Sequence, residues 1–172
     1  MANVRIYGTE NRPSQPSFYI LNRVDENTLP AIIKAMGGAE NLAFMVEEVL
    51  IPTPAVMKIV NASGSKVLSF NFRKSDSRTL REKIMLLKQE GLDVLYLPGR
   101  PNSIIGTISD VPMPFMMQLG ALHIAPVPVF VGGFRNHLRR AFTSGLDYDW
   151  ATVDFLPKLQ SGPQTGERLL EV

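Results

Sequence analysis

Asp93-Val94-Leu95-Tyr96-Leu97-Pro98-Gly99-Arg100 and, further along, Ala125-Pro126-Val127-Pro128-Val129-Phe130-Val131-Gly132-Gly133 decide the fold of this chain. Each holds a short apolar run of strand length with proline and glycine beside it, the pattern of a buried strand that ends in a turn. Just ahead of the first stands the clearest helical pattern, Ser77 to Glu90. Leu80, Ile84 and Leu87 fall on one face there, Asp76 or Ser77 caps the start and Gly91 closes the end. Helix, tight turn and buried strand in succession predict a mixed α/β sheet covered by helices.

The rest of the chain repeats that grammar. Val4-Arg5-Ile6-Tyr7 alternates and ends at Gly8, and Ser17 to Leu21 is a second strand after the turn-rich Asn11-Arg12-Pro13-Ser14-Gln15-Pro16. Thr28 to Met36 reads as a helix with Pro30 in its first turn and Gly37-Gly38 at its end. Leu42 to Val46 is a short apolar strand. Pro52 to Val60 is a helix with prolines near its start, and Lys66 to Phe72 a strand by alternation. Val111 to Phe134 carries no Lys, Arg, Asp or Glu and has the length of a membrane span. Pro112, Pro114, Gly120, Pro126 and Pro128 break it, so we read a short buried helix, Phe115 to Leu122, feeding a core strand. Arg135 to Phe142 is a further helix and Trp150 to Leu156 a late strand.

Composition removes several function classes. The 172 residues are 45% hydrophobic and 20% charged, which suits one folded domain and excludes a disordered chain. Eighteen Lys and Arg against sixteen Asp and Glu leave +2, too small a bias for a nucleic-acid partner. Without cysteine there is no disulfide, thiol nucleophile or cysteine-bound metal, as in a reducing, cytoplasmic setting. His123 and His137 alone cannot make a histidine-rich metal site. Ala62-Ser63-Gly64-Ser65 lacks the spacing of a phosphate loop, there is no Gly-x-Gly-x-x-Gly, and Ser103 and Ser109 lack a nucleophile-elbow context. No cofactor is expected. The N-terminus shows no apolar signal region, and both ends read as those of a domain cut from a longer chain, residues 1–172 forming one unit.

The order of these features resembles the lysophospholipid acyltransferase family, and especially the acyltransferase domain fused to an acyl-carrier-protein synthetase. The family's first strand ends in Gly-x-Glu-Asn, matched by Gly8-Thr9-Glu10-Asn11. Its second strand runs into Asn-His-x-x-x-x-Asp. Here Phe18-Tyr19-Ile20-Leu21-Asn22 keeps the Asn, while Arg23 stands at the His position and Thr28 at the Asp position. The second motif, a glycine and then a strand ending in Arg, is similar to Gly64 through Phe70-Asn71-Phe72-Arg73. The third, Phe-Pro-Glu-Gly-(Thr)-Arg, resembles Leu97-Pro98-Gly99-Arg100 with the Glu replaced by Gly99 or deleted, and the fourth is Val127-Pro128-Val129. Thr152-Val153-Asp154-Phe155 before Pro157 resembles the closing strand.

The resemblance implies an acyltransferase-like fold without the family's chemistry. In the family a His removes the acceptor hydroxyl's proton and the Asp holds its ring in one tautomer. An Arg, with a pKa of about 12 or more, offers no free base at neutral pH. Asp25 or Glu26 is the replacement to consider, although either projects from a different backbone position and misplaces the acceptor. Arg23 either fills the pocket or pairs with one of them. His123 is expected to be packed and His137 to lie on a solvated helix face. Arg73, and Arg100 with it, match family residues that hold the acceptor phosphate, a role that suits the guanidinium fork. Met113, Met116 and Met117 either pack the core or line an acyl-chain groove. Three functional readings follow. The first is a catalytically silent acyltransferase-like domain with a regulatory, scaffolding or lipid-binding role in a larger protein. The second is an active enzyme moving an acyl group from an acyl-carrier-protein or coenzyme A thioester to a lysophospholipid through an unorthodox base. The third is an unrelated α/β interaction domain. The first two bring a lysophospholipid, an acyl thioester, other domains of a parent chain and peripheral contact with the cytoplasmic face of a membrane as partners.

Overall fold

A computed structural model describes residues 3–48, 51–71, 77–99, 113–132 and 150–158. Seven strands form one sheet: β1 (Asn3–Tyr7), β2 (Phe18–Leu21), β3 (Leu42–Glu47), β4 (Lys66–Phe70), β5 (Asp93–Leu97), β6 (Val127–Gly132) and β7 (Trp150–Phe155), in the order β1-β7-β6-β2-β5-β3-β4. Among the described residues four α-helices lie on it: α1 (Leu29–Ala35), α2 (Pro54–Ala62), α3 (Ser77–Gln89) and α4 (Met113–Ala121). β2 to β6 run parallel, and β7 turns antiparallel to β6 with β1 parallel to β7. The mixed α/β sheet that the sequence predicts is therefore found.

Strand order explains which face each helix takes. The steps β2-α1-β3 and β3-α2-β4 move toward the β4 edge, whereas β4-α3-β5 and β5-α4-β6 move back. Parallel crossovers are right-handed, so outward and return helices must cover opposite faces. Leu29, Ile32 and Met36 from α1 and its end, with Val56 and Val60 from α2, join Tyr19, Leu21, Phe44, Val46, Leu95 and Leu97 in one core. Leu80, Ile84 and Leu87 from α3, with Met116 and Leu119 from α4, join Phe18, Ile20, Met45, Val94 and Tyr96 in the other. Covered on both sides, β2 and β3 are buried at every position and read as continuous apolar runs. Each large side chain so buried contributes roughly 1.5–3 kcal/mol.

The amino ends of β2 and β5 are fastened by a polar cluster. Ser17 donates its backbone N–H to Asp93 Oδ1 at 2.8 Å, and Arg12 Nη2 lies 3.7 Å from Asp93 Oδ2. Arg12 also donates from Nη1 to the Ala35 carbonyl at 2.6 Å and from Nη2 to the Met36 carbonyl at 3.2 Å. Burial raises the Asp93 carboxyl above its ordinary range, with the Ser17 amide and Arg12 opposing that shift. Tyr19, buried on the same face, is raised by burial and by the Asp93 charge.

The Gly-x-Glu-Asn turn is a joint. Gly8 has φ +67, and a Cβ there would run into the Phe155 carbonyl. Asn11 Nδ2 donates to that same carbonyl at 2.7 Å, and its backbone N–H to Gly8 at 2.9 Å. Only glycine fits this left-handed position against β7.

Several expectations shift. α2 starts at Pro54 rather than Pro52 because Thr53 caps it, its Oγ1 accepting from Val56 N at 3.4 Å. β4 ends at Phe70. His123, expected to be packed, is exposed. It holds φ 54 in the turn closing α4, where His123 N donates to Gly120 O and Ile124 N to Leu119 O, each at 3.0 Å. That is the place glycine takes after α3, where Gly91 N and Leu92 N make the same pair of bonds with Gly91 at φ +77. Met116 is in the core while Met117 points to solvent. Among the described residues no helix is long and apolar enough to cross a membrane. The helix expected over Arg135 to Phe142, with His137 in it, lies outside the described residues, as do Ser103 and Ser109.

Candidate functional site

Adjacent parallel strands whose outgoing connections part to opposite faces leave a crevice at their carboxyl ends, where ligands of α/β sheets bind. β2 leads to α1 on one face and β5 to α4 on the other, and these two strands are neighbours. β3, on the far side of β5, leads to α2 on the first face, so connections diverge on both flanks of β5. Asn22-Arg23 after β2, Pro98-Gly99 after β5 and Glu47-Glu48 at the end of β3 therefore surround one place.

Asn22 builds the β2 wall. Its Oδ1 accepts from Val131 N at 2.7 Å and its Nδ2 donates to Val131 O at 3.3 Å, while its own N–H donates to Val129 O at 3.3 Å. The side chain thus adds a rung to the β2–β6 pairing after the strand has ended. Buried and doubly bonded, this Asn is structural. Arg23 follows at once, half-buried at the position the resemblance gives to a catalytic His.

The turn from β2 into α1 answers for the proposed bases. Asp25 Oδ1 accepts the backbone N–H groups of Asn27 and Thr28, each at 2.9 Å, and its carbonyl accepts from Leu29 N at 3.1 Å. Asp25 is thus the organiser of the turn, in the manner of an Asx turn. Glu26 is exposed. Thr28 is buried, its Oγ1 3.4 Å from both the N and the O of Asp25, so it serves the same turn.

The other wall carries carboxylates. Glu47 ends β3 and, among the described residues, is the one acid in the fully buried class. It stands on the face of Met45, which is paired with Tyr96, and its charge adds to burial in raising the Tyr96 hydroxyl above its usual range. Glu48 Oε2 accepts from Asn71 Nδ2 at 3.3 Å, and its N–H donates to the Phe70 carbonyl at 2.8 Å. β2 and β3 are separated only by β5, so Arg23 and Glu47 leave the sheet about 10 Å apart along it. The sequence reading passed over Glu47 and Glu48. The signal was there in Leu42-Ala43-Phe44-Met45-Val46-Glu47-Glu48, an acid pair closing a fully apolar strand.

Gly99 is buried in the turn after β5, beside this wall. Arg73 and Arg100, the expected phosphate ligands, lie outside the described residues. Among the described residues no three metal-ligating side chains come together.

No protein-family model matches the chain. No curated protein matches it either. Among solved structures it is similar to the crystal structure of the 1-acyl-sn-glycerophosphate (LPA) acyltransferase PlsC from Thermotoga maritima, with 18% sequence identity and a TM-score of 0.56. The match covers 99% of this chain and 68% of that one. The seven-stranded sheet and its helices thus share the fold of that structure.

Proposed function

We propose that this chain is a silent relative of the lipid acyltransferases, one that keeps a binding site for a phosphate-bearing lipid without the means to acylate it. Its setting on this reading is a larger polypeptide or complex, where it scaffolds or regulates. The observation that carries the reading is the β2–α1 turn. Where acyl transfer needs a general base beside the acceptor hydroxyl, the chain offers Arg23, whose guanidinium is already protonated at neutral pH and accepts no further proton. Where the base would need an orienting carboxylate, it offers the buried Thr28, and the nearby Asp25 already accepts two amides. General-base catalysis supplies about 10²–10⁴ in rate, so its loss alone is expected to cut turnover by that factor.

Two arginines support the retained binding, with the carboxylates of Glu47 and Glu48 opposing them from the β3 side. Arg23 follows Asn22 directly after β2 and is half-buried, and Arg100 follows Gly99 directly in sequence. Guanidinium groups take phosphate oxygens through paired hydrogen bonds. The ligand class is a lysophospholipid, with an acyl thioester as the other molecule of the family reaction. Flotation with phosphatidylcholine vesicles, plain or containing lysophosphatidic acid, tests this. Retention only with the lysophospholipid, weakened several-fold in Arg73→Ala or Arg100→Ala, is expected. Equal partition onto both vesicle types, or none onto either, would remove the lipid site from the proposal.

One observation favours a second reading, an active acyltransferase with an unorthodox base. Glu47 is a buried carboxylate at the carboxyl end of a central strand, a better placed base than Asp25 or Glu26. On that reading acyl transfer is detectable and Glu47→Gln abolishes it while the protein stays folded.

A further inference from the structure

The carbonyls at the end of α1 have a complete set of partners, and Arg12 supplies half of it. A helix leaves its last four carbonyls without intrahelical donors. Here Gly38 N donates to Ile33 O at 3.0 Å and Gly37 N to Lys34 O at 3.1 Å. Arg12 takes the remaining two, Ala35 O and Met36 O. A guanidinium at this end also complements the helix dipole. The same side chain lies against Asp93, the first residue of β5, whose other end forms the Gly99 wall of the crevice.

α1 is the connection between that clamp and the crevice. It has seven residues, about 10 Å of helix, too short to persist on its own. Leu29, Ile32 and Met36 anchor one side in the core. Its amino end is the turn Asp25–Thr28, held by Asp25 Oδ1, and its carboxyl end is the Arg12 clamp. Loosening one end of such a short segment favours local opening of the whole, because few other bonds hold it.

We propose that Arg12 is a positioning residue for the crevice: by clamping the α1 carbonyls to the start of β5 it sets where the Asp25–Thr28 turn, and with it Arg23, stands at the opposite end of the sheet. This holds whether or not the crevice binds a phospholipid, and it needs no ligand to be tested. It also gives the site a control point at the far edge of the domain, since whatever engages the Arg12–Asp93 cluster must bias the turn, and the reverse.

The test is residue-resolved amide hydrogen exchange and chemical shifts on the full chain, comparing Arg12→Met, Arg12→Lys and Leu119→Ala. Leu119 packs α4 on the opposite face, so its variant weakens the fold without touching α1. Losing two charge-assisted hydrogen bonds in Arg12→Met is expected to speed exchange at Asn27, Thr28 and Leu29 about tenfold to a hundredfold more than at β3 amides. Arg12→Lys, able to keep a carbonyl bond and the Asp93 pair, is expected to restore part of the protection. Leu119→Ala should leave the Asn27 and Thr28 shifts in place. Changes in Arg12→Met confined to residues 9–17, 35–38 and 93, or equal changes at Asn27 and Thr28 in Leu119→Ala, would overturn the proposal. If Arg12→Met does not fold, Arg12→Lys decides: altered shifts at Asn27 and Thr28 support the proposal and unaltered ones refute it.

Discussion

The two ends of the parallel strands use their polar residues differently. At the amino end Arg12, Asp93 and Ser17 bond to one another and to the α1 carbonyls, and Asn11 locks the Gly8 turn onto β7. These contacts join segments far apart in sequence, and each fixes a neighbouring element. At the carboxyl end Arg23 follows β2 on one side of β5, Glu47 and Glu48 close β3 on the other, and Asn71 follows β4 beyond them. Asn22 and Asp25 hold that end in shape. One end fastens the sheet and the other is where ligands of parallel α/β folds bind, which is where we propose the site.

Substitutions at the fastening end should cost the most stability. Arg12→Met leaves Asp93 with its charge in a largely buried place and two helix carbonyls without donors, a loss of about 3 kcal/mol in urea unfolding. A loss under about 1 kcal/mol would mean the cluster is not a fastening. Gly8→Ala comes next, at about 2 kcal/mol, because a Cβ meets the Phe155 carbonyl at a left-handed φ. Asn22→Ala at the other end should cost about 1–3 kcal/mol, since Val131 N–H and C=O both lose a buried partner.

Asp93→Asn sharpens the comparison through pH. Burial raises the folded-state pKa of Asp93 above its ordinary value of 3.8, so the folded protein binds that proton more tightly than the unfolded chain. Its contribution to stability therefore falls as pH rises through the window above 3.8. Asparagine keeps an acceptor for Ser17 N–H and does not titrate, so the variant should stay within about 1 kcal/mol of the parent and gain on it with rising pH. Urea melts across that window check the sign, and a variant that loses ground as pH rises would show that Arg12 outweighs the burial. The smallest effect is a gain. His123→Gly relieves a left-handed residue at the end of α4 and should add about 0.5–1 kcal/mol by thermal unfolding.

Local chemistry made most of the fold readable. Asp93 to Leu97 and the Ser77 helix stand where periodicity and caps put them, and Gly37, Gly38 and Gly91 end helices as expected. The misses were of two kinds. His123 sits in an apolar stretch, and nothing in the sequence tells that a left-handed turn swings it outward. Arg12 lies among turn residues, and its partners are 23, 24 and 81 positions away, beyond any local pattern. At the site, the resemblance in motif order alone gives Arg23 and Thr28 the family's His and Asp positions, whereas the use of Asp25 as turn organiser needed the backbone geometry. Glu47 was hidden because an acid after an apolar run reads as a strand leaving the core, yet β3 is buried through its last residue.

On the proposed reading, this acyltransferase-like fold lacks a working base. Transfer of a labelled acyl group from acyl-carrier-protein and coenzyme A thioesters to lysophosphatidic acid, measured beside an active PlsC enzyme, tests it most directly. The account predicts no turnover above the protein-free control from a folded sample. Turnover that Glu47→Gln abolishes would contradict it and make the crevice a working active site.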